Sequence, residues 1–224
     1  MTTGGNSSHT PLDGVIKFEL THLPGDLPGH ADASAIIHWF GICRALNLIG
    51  QDPKRYEGAA YGNISQRLEH GFLVTGTQTG GKQALNMQGI AWVTECDSAS
   101  NRVSSRGPAR PSSESLTHAQ VYQELPEVSF VIHVHSPLIW RQTETLELPA
   151  TPPQAAYGTP EMAFEVARVF RETSLADLRI VAMLGHEDGV ISFGRTIDEA
   201  GETMVRFLAR AFALVEDGVP AAWR

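Results

Sequence analysis

The stretch FVIHVHSP, residues 130–137, lies in the most apolar run of the chain and sets His133 and His135 at alternate positions of what reads as a buried strand. VSFVIHVH is rich in β-branched and apolar residues and is bounded by Pro126 and Pro137, which punctuate a strand. Residues two apart in a strand share a face, so both imidazoles point the same way, with Cα atoms about 6–7 Å apart. That is close enough to chelate one divalent ion. By itself a bare H-x-H favours the plainer reading of two core histidines, each satisfied by one hydrogen bond.

Outward from this strand the chain alternates helix and strand without a clean βαβ rhythm or an internal repeat. Upstream, VIKFEL alternates like a short strand, and THLPGDLPGH reads as a turn-rich linker. Ile36, Trp39, Phe40, Cys43 and Leu46 recur at helical spacing over residues 32–49, with Gly50 and Pro53 as a stop. Strands are expected at 72–75 and 90–94, a Ser/Arg/Pro-rich loop over 97–111, and a helix over 113–125. Downstream, Thr159 and Pro160 open a helix running to Phe170, and RIVAML and GVISF read as two strands split by GHED. Thr196-Ile-Asp-Glu199 has the capping-box pattern of a last helix, which closes near Gly218 and Pro220. The expected architecture is one α/β domain with a mixed or mostly antiparallel sheet covered by helices. Residues 1–31 form a tail and linker with a possible short strand, and residues 32–224 form the domain.

The chain has 224 residues, 42% hydrophobic and 19% charged, which is ordinary globular composition with enough length for a sizeable core. A net charge of −8 without a Lys/Arg run offers no footprint for nucleic acid or an anionic membrane. Cys43 and Cys96 are too few for a disulfide framework or a thiolate knuckle and read as small buried side chains. The first residues lack a basic n-region and an apolar h-region, and nowhere do eighteen apolar residues run together. A cytoplasmic protein acting on a small molecule is expected.

Among the remaining histidines, His9, His22, His30, His38, His70 and His118 read as surface or incidental. His186 differs because it ends an apolar strand inside GHEDG, a sharp loop where sites on α/β folds commonly lie. A third imidazole there would give a three-histidine set with an open position, as in catalytic zinc sites. Glu114, preceded by Ser112 and Ser113, opens the helix before the H-x-H strand. It reads either as a general acid or base beside a metal or as a first-turn glutamate favoured by the helix dipole. The same turn, and the loop at 76–81 with Thr79 and Gly80, carry hydroxyls and glycines suited to an anion. The residues after His135 do not fit a cupin, since Ile139 and Trp140 stand where a glutamate is needed. Pro137 and Leu138 likewise exclude a metallo-β-lactamase-like H-x-H-x-D-H.

In chain order, GNIS (62–65), TQTG (77–80), PSSE (111–114) with His118 and Tyr122 following, PEVSFVIHVHS, AAYGT (155–159) and GHEDGVISFG with TIDEA resemble the class II aldolase/adducin family over roughly residues 32–215. Its enzymes include fuculose-phosphate aldolase, ribulose-5-phosphate 4-epimerase and methylthioribulose-phosphate dehydratase. The resemblance implies a three-layer α/β/α single domain, usually a homotetramer with active sites near subunit interfaces. It implies one divalent metal per subunit, zinc before manganese or cobalt, held by His133, His135 and His186, with Glu114 as catalytic acid or base. Asn63, Thr79, Gly80, Ser112 and Ser113 match positions that cradle substrate phosphate, and His118 and Tyr157 stand next to that set. The implied activity is that of a lyase working through an enediolate on a small phosphorylated hydroxy-carbonyl compound or sugar. Epimerisation, dehydration and a non-catalytic adducin-like assembly role are the alternatives. Three departures stand out. Residues 136–155 hold no tyrosine to match the family's proton donor, and Glu187 and Asp188 are inserted between His186 and Gly189 where the family has a histidine-glycine pair. The chain given also ends at Arg224, where no long tail is expected to reach over the site.

Overall fold

A computed structural model of the protein describes residues 15–172 and 178–216. In chain order the strands are β1 (Glu19–Pro24), β2 (Gly50–Gln51), β3 (Ala60–Tyr61), β4 (Asn63–Arg67), β5 (Phe72–Thr75), β6 (Ile90–Asp97), β7 (Arg102–Gly107), β8 (Phe130–His135), β9 (Ala150–Thr151), β10 (Ile180–Met183) and β11 (Gly189–Gly194). The helices are α1 (Ser34–Ala45), α2 (Ser115–Glu124), α3 (Pro137–Arg141), α4 (Pro160–Glu172) and α5 (Ile197–Glu216). The expected N-terminal tail over residues 1–13 and the helix stop near Gly218 and Pro220 lie outside the described residues.

The H-x-H strand, β8, sits inside a nine-stranded sheet of order β1-β7-β6-β5-β4-β8-β11-β10-β9. Its neighbours β4 and β11 are both antiparallel to it, and parallel pairing occurs only at the two edges, β1 with β7 and β9 with β10. Strand alternation then sorts side chains into two cores. Ile132 and Val134 of β8 join Ile64, Ala182 and Val190 beneath Ile36 and Phe40 of α1, Ile139 of α3 and Met204 and Phe207 of α5. Val131 of β8 joins Val74, Val181 and Ile191 beneath Leu116 of α2 and Met162 and Val166 of α4. The sheet is therefore buried on both faces, giving an α/β/α three-layer domain, and each fully buried aliphatic or aromatic side chain contributes about 1.5–3 kcal/mol. His133 and His135 fall on the Val131 side, facing the α2 and α4 layer.

Two helix starts match their sequence signals. Thr196 Oγ1 accepts from Glu199 N at 3.1 Å while Glu199 Oε2 accepts from Arg195 N at 2.8 Å, a reciprocal cap at the start of α5. Thr159 Oγ1 accepts from Met162 N at 3.3 Å at the start of α4.

Other elements differ from expectation. The loop expected over 97–111 contains β7, in which Val103, Ser105 and Gly107 are buried and Arg102 and Arg106 exposed. Alternation is present, but a buried serine and glycine leave it almost no apolar signal. The strand expected over VIKFEL begins at Glu19 and runs into the supposed linker, hydrogen-bonded in parallel to β7. It is an edge strand with Leu23 55% exposed, so no inward periodicity marks it. Segment 19–24 therefore belongs to the sheet of the domain. Strand β4, not anticipated, carries Asn63 and Ser65 on the same face as the histidines. Among the described residues no helix is long and apolar enough to cross a membrane. Cys43 and Cys96 are both free thiols, and burial pushes each up to about 12.

Candidate functional site

Pairing of β8 with β11 places Gly189 opposite His135 and Ile191 opposite His133, so the turn from β10 to β11 passes over the end of β8. That turn carries His186. It is tied down by His186 N donating to Met183 O at 3.0 Å, Gly189 N to His186 O at 2.9 Å, and Ser136 N to Asp188 O at 2.8 Å. Gly185 is needed here for close approach, because a Cβ on it would stand 1.8 Å from Ala155 O. The three imidazoles meet as a result. Ring centroids are 5.2 Å apart for His133 and His135, 5.0 Å for His133 and His186, and 4.6 Å for His135 and His186. One ligand atom from each lies within 4.8 Å of the others, and all three side chains are buried.

Burial, with His186 next in effect, holds His133 and His135 well below the ordinary histidine range, so both are neutral and present lone pairs. Neither ring nitrogen of His133 makes a well-formed hydrogen bond, although the Val190 backbone exerts a weak opposing pull. A buried polar ring left in that condition is costly unless it holds something. Three buried imidazoles, two from one strand and one from the facing turn, fit a divalent cation and leave coordination positions for other ligands.

Glu114 is the residue before α2, one position earlier than a first-turn glutamate, and its side chain makes no cap hydrogen bond. The carboxylate is 2% exposed and faces the histidines instead. Its Oε1 lies 3.9 Å from His186 Nδ1, and its Oε2 accepts from Thr117 Oγ1 at 3.2 Å. The helix-dipole reading does not account for that orientation.

Asn63 pairs in register with His133 across β4 and β8. With Gly80, Ser112, Ser113, Glu114 and the three histidines it lines one small cavity, whose wall is continued by Tyr61, Gly76, Thr77 and Gln78. The volume is about 20 Å³, room for roughly one water-sized species. Thr79 is buried nearby but does not line it, since its hydroxyl donates to Gly76 O at 2.7 Å. Ser112 Oγ accepts from Glu114 N at 3.1 Å and so helps set the glutamate backbone. Gly80 packs against β2 and β3, where a Cβ would meet Gly50 O at 2.6 Å.

His118 is fully buried, not at the surface, and its Nδ1 is 2.6 Å from Ser65 Oγ, which is itself 2.6 Å from Tyr122 OH. His22 lies on β1, not in a loop, 2.9 Å from Ser105 Oγ. Tyr157 stacks on His186 with centroids 4.7 Å apart and planes at 23°. Lys17 Nζ sits 3.4 Å from the Tyr157 ring centre and donates to Tyr157 O at 2.8 Å. Sequence reasoning missed Arg55, Tyr56 and Tyr61, whose two tyrosine rings stand beside His135. The one signal for them was indirect: the inserted Asp188, which accepts from Tyr56 OH at 2.7 Å.

A sequence profile described as the Class II Aldolase and Adducin N-terminal domain matches residues 42–213. The methylthioribulose-1-phosphate dehydratase of Gluconacetobacter diazotrophicus is 35% identical over 100 residues, 44% of this chain and 46% of that protein. The protein of the same name from Sorangium cellulosum is 37% identical over 78 residues, 35% of each chain. The matched stretches span less than half the length of these curated relatives. Among solved structures, the L-fuculose-1-phosphate aldolase of Thermus thermophilus superimposes with a TM-score of 0.60 at 23% identity, covering 84% of this chain and 97% of that one. The sugar-phosphate aldolase of Thermotoga maritima gives 0.59 at 16% identity, covering 82% and 94%. These likenesses show a shared fold.

Proposed function

The chain belongs to the class II aldolase and adducin family, and from that premise we propose that it is a metal-dependent enzyme that removes water from a small phosphorylated hydroxy-carbonyl compound. The observation that carries this reading is the buried set His133, His135 and His186 with the Glu114 carboxylate 3.9 Å from the third ring.

His133, His135 and His186 would hold the ion. A bound divalent cation supplies Lewis-acid stabilisation of negative charge developing on a substrate carbonyl oxygen. Glu114, beside that position and shielded from water, takes the proton from the carbon next to the carbonyl. Hydroxide leaves the adjacent carbon and takes up the proton that Glu114 gained, departing as water, so the product differs from substrate by one water and Glu114 returns to the carboxylate. Asn63, Gly80, Ser112 and Ser113, which line the same cavity as Glu114, would meet the phosphate, whose remote binding energy would hold the reacting carbons against Glu114. Thr79 supports this cradle by bracing its loop. The cavity must widen to admit such a substrate.

Elimination is placed ahead of aldol cleavage for two reasons. Relatives above 30% identity carry a dehydratase name, and residues 136–155 contain no tyrosine to serve as proton donor in a cleavage reaction. Zinc is the proposed ion, and the cytoplasm the proposed compartment. A homotetramer with sites near subunit interfaces is the proposed assembly; Ile42 on α1, Leu46 just after it, and Val205 and Phe212 on α5 are exposed apolar surface available for it.

The test is a product assay on metal-loaded protein with a panel of ketose and aldose phosphates that includes 5-methylthioribulose 1-phosphate. The proposal expects a single product lighter by one water. Two carbonyl fragments would assign aldol cleavage instead, and inertness of metal-replete protein toward the whole panel would favour an adducin-like assembly module.

A further inference from the structure

Beside the histidines lies a buried carboxylate that the proposed chemistry does not use. Asp188 is 5% exposed, two residues past His186. Its Oδ2 accepts from the Tyr56 hydroxyl at 2.7 Å and from the Arg55 guanidinium at 3.4 Å, and Arg55 also donates to the Tyr56 hydroxyl. The Tyr56 ring stands edge-on to His135, with centroids 4.5 Å apart and planes at 73°. Tyr61 closes the same side, 5.1 Å from Tyr56 and 5.3 Å from His135. Tyr56, Glu57 and Asp188 have φ of 49°, 55° and 61°, a left-handed conformation that residues with a Cβ rarely adopt. Backbone of that kind persists where the surroundings over-determine it. Here both ends of one hydrogen bond are held so.

We propose that Tyr56, anchored by Asp188 and Arg55, is the positioning residue of His135, and that the inserted Asp188 supplies the anchor. Tyr56 acts through the imidazole, not on substrate. Its ring limits the tilt of His135, while Asp188, on the loop that carries His186, ties that tilt to the position of the third histidine. The inference rests on reading the three histidines as a metal site. Partners outside the ligand set that fix a histidine's orientation are typically worth about 10–100-fold in metal affinity.

The experiment uses the full chain and the Tyr56→Leu, Tyr56→Phe and Asp188→Asn variants. Zinc affinity is measured by competition with a chromophoric chelator, the visible spectrum is recorded after cobalt(II) loading, and melting of the metal-free proteins is followed in parallel. Asp188→Asn leaves the backbone contact to Ser136 in place and alters only the anchor. The expected result is a loss of about tenfold or more in zinc affinity with a shifted cobalt spectrum for Tyr56→Leu and Asp188→Asn. Tyr56→Phe, which keeps the ring, should fall between these and the wild type. Should Asp188→Asn fail to fold, Tyr56→Phe against Tyr56→Leu carries the comparison. Wild-type affinity and spectrum in the variants, with metal bound normally by the wild type, would overturn the positioning role alone. A wild type that takes up no metal would overturn both that role and the proposed function.

Discussion

His118 is a buried imidazole whose Nδ1 meets Ser65 Oγ at 2.6 Å, and burial holds it down at about 3. His133 and His135 are held low by the same cause. An unfolded histidine titrates near 6.5, so below that pH the unfolded chain takes up protons that the folded chain refuses. Stability is therefore complete above pH 6.5 and lost as pH falls through that value toward 3. His118 alone gives about 1.4 kcal/mol per pH unit in that window, and His133 and His135 act in the same direction. Metal-free protein should melt progressively lower between about pH 7 and pH 5, and His118→Gln should flatten the dependence. A melting temperature independent of pH there would contradict this account of the buried histidines. Glu114→Gln should keep metal binding but lower turnover at least about 100-fold, the usual range for losing a general base. Unchanged turnover in the metal-loaded variant would remove Glu114 from the chemistry. At this scale the candidate set His133, His135 and His186 was legible because imidazoles on a core strand and at a strand end are chemically out of place, whereas Glu114 stood out only through the order of motifs around it. Tyr56 and Asp188 were not legible. Tyrosine and aspartate in loops are unremarkable until a fold brings two residues 132 positions apart into contact.

At the scale of elements, the turn between β10 and β11 decides whether two histidines become three. Its path depends on Gly185, which passes so close to Ala155 O that no side chain fits. Gly185→Ala should destabilise the protein by about 1–3 kcal/mol through forced displacement. It should also weaken metal uptake by moving His186, which denaturant melts and chelator competition would detect. Wild-type values for both would mean the turn is more forgiving than its geometry implies. Strands β8, β10 and β11 and the long helices were legible because apolar periodicity and capping residues coincide in them. Strands β1, β4 and β7 were not, because their inward positions include Asn63, Ser65 and Ser105 or face solvent at an edge. Such strands are specified by their sheet partners more than by their own letters.

For the whole molecule, three layers bury the sheet on both faces and bring a helix start, a strand and a turn to one point. Folding and metal binding are then linked, since only the folded chain gathers the three histidines. At a hundredfold excess over its dissociation constant, a bound ion should stabilise the fold by about 2.7 kcal/mol, reversibly on chelation. The resemblance in motif order conveyed the layered fold and the family. It left out the shape of the cavity, because that depends on loops whose residues carry no periodic signal. The central claim is that His133, His135 and His186 hold one divalent ion, and elemental analysis of purified protein beside its His133→Ala variant tests it most directly. The account predicts about one transition-metal ion per wild-type chain and almost none in the variant, as expected when a three-histidine site loses a ligand. Equal metal content in the two proteins, or none in the wild type, would contradict it.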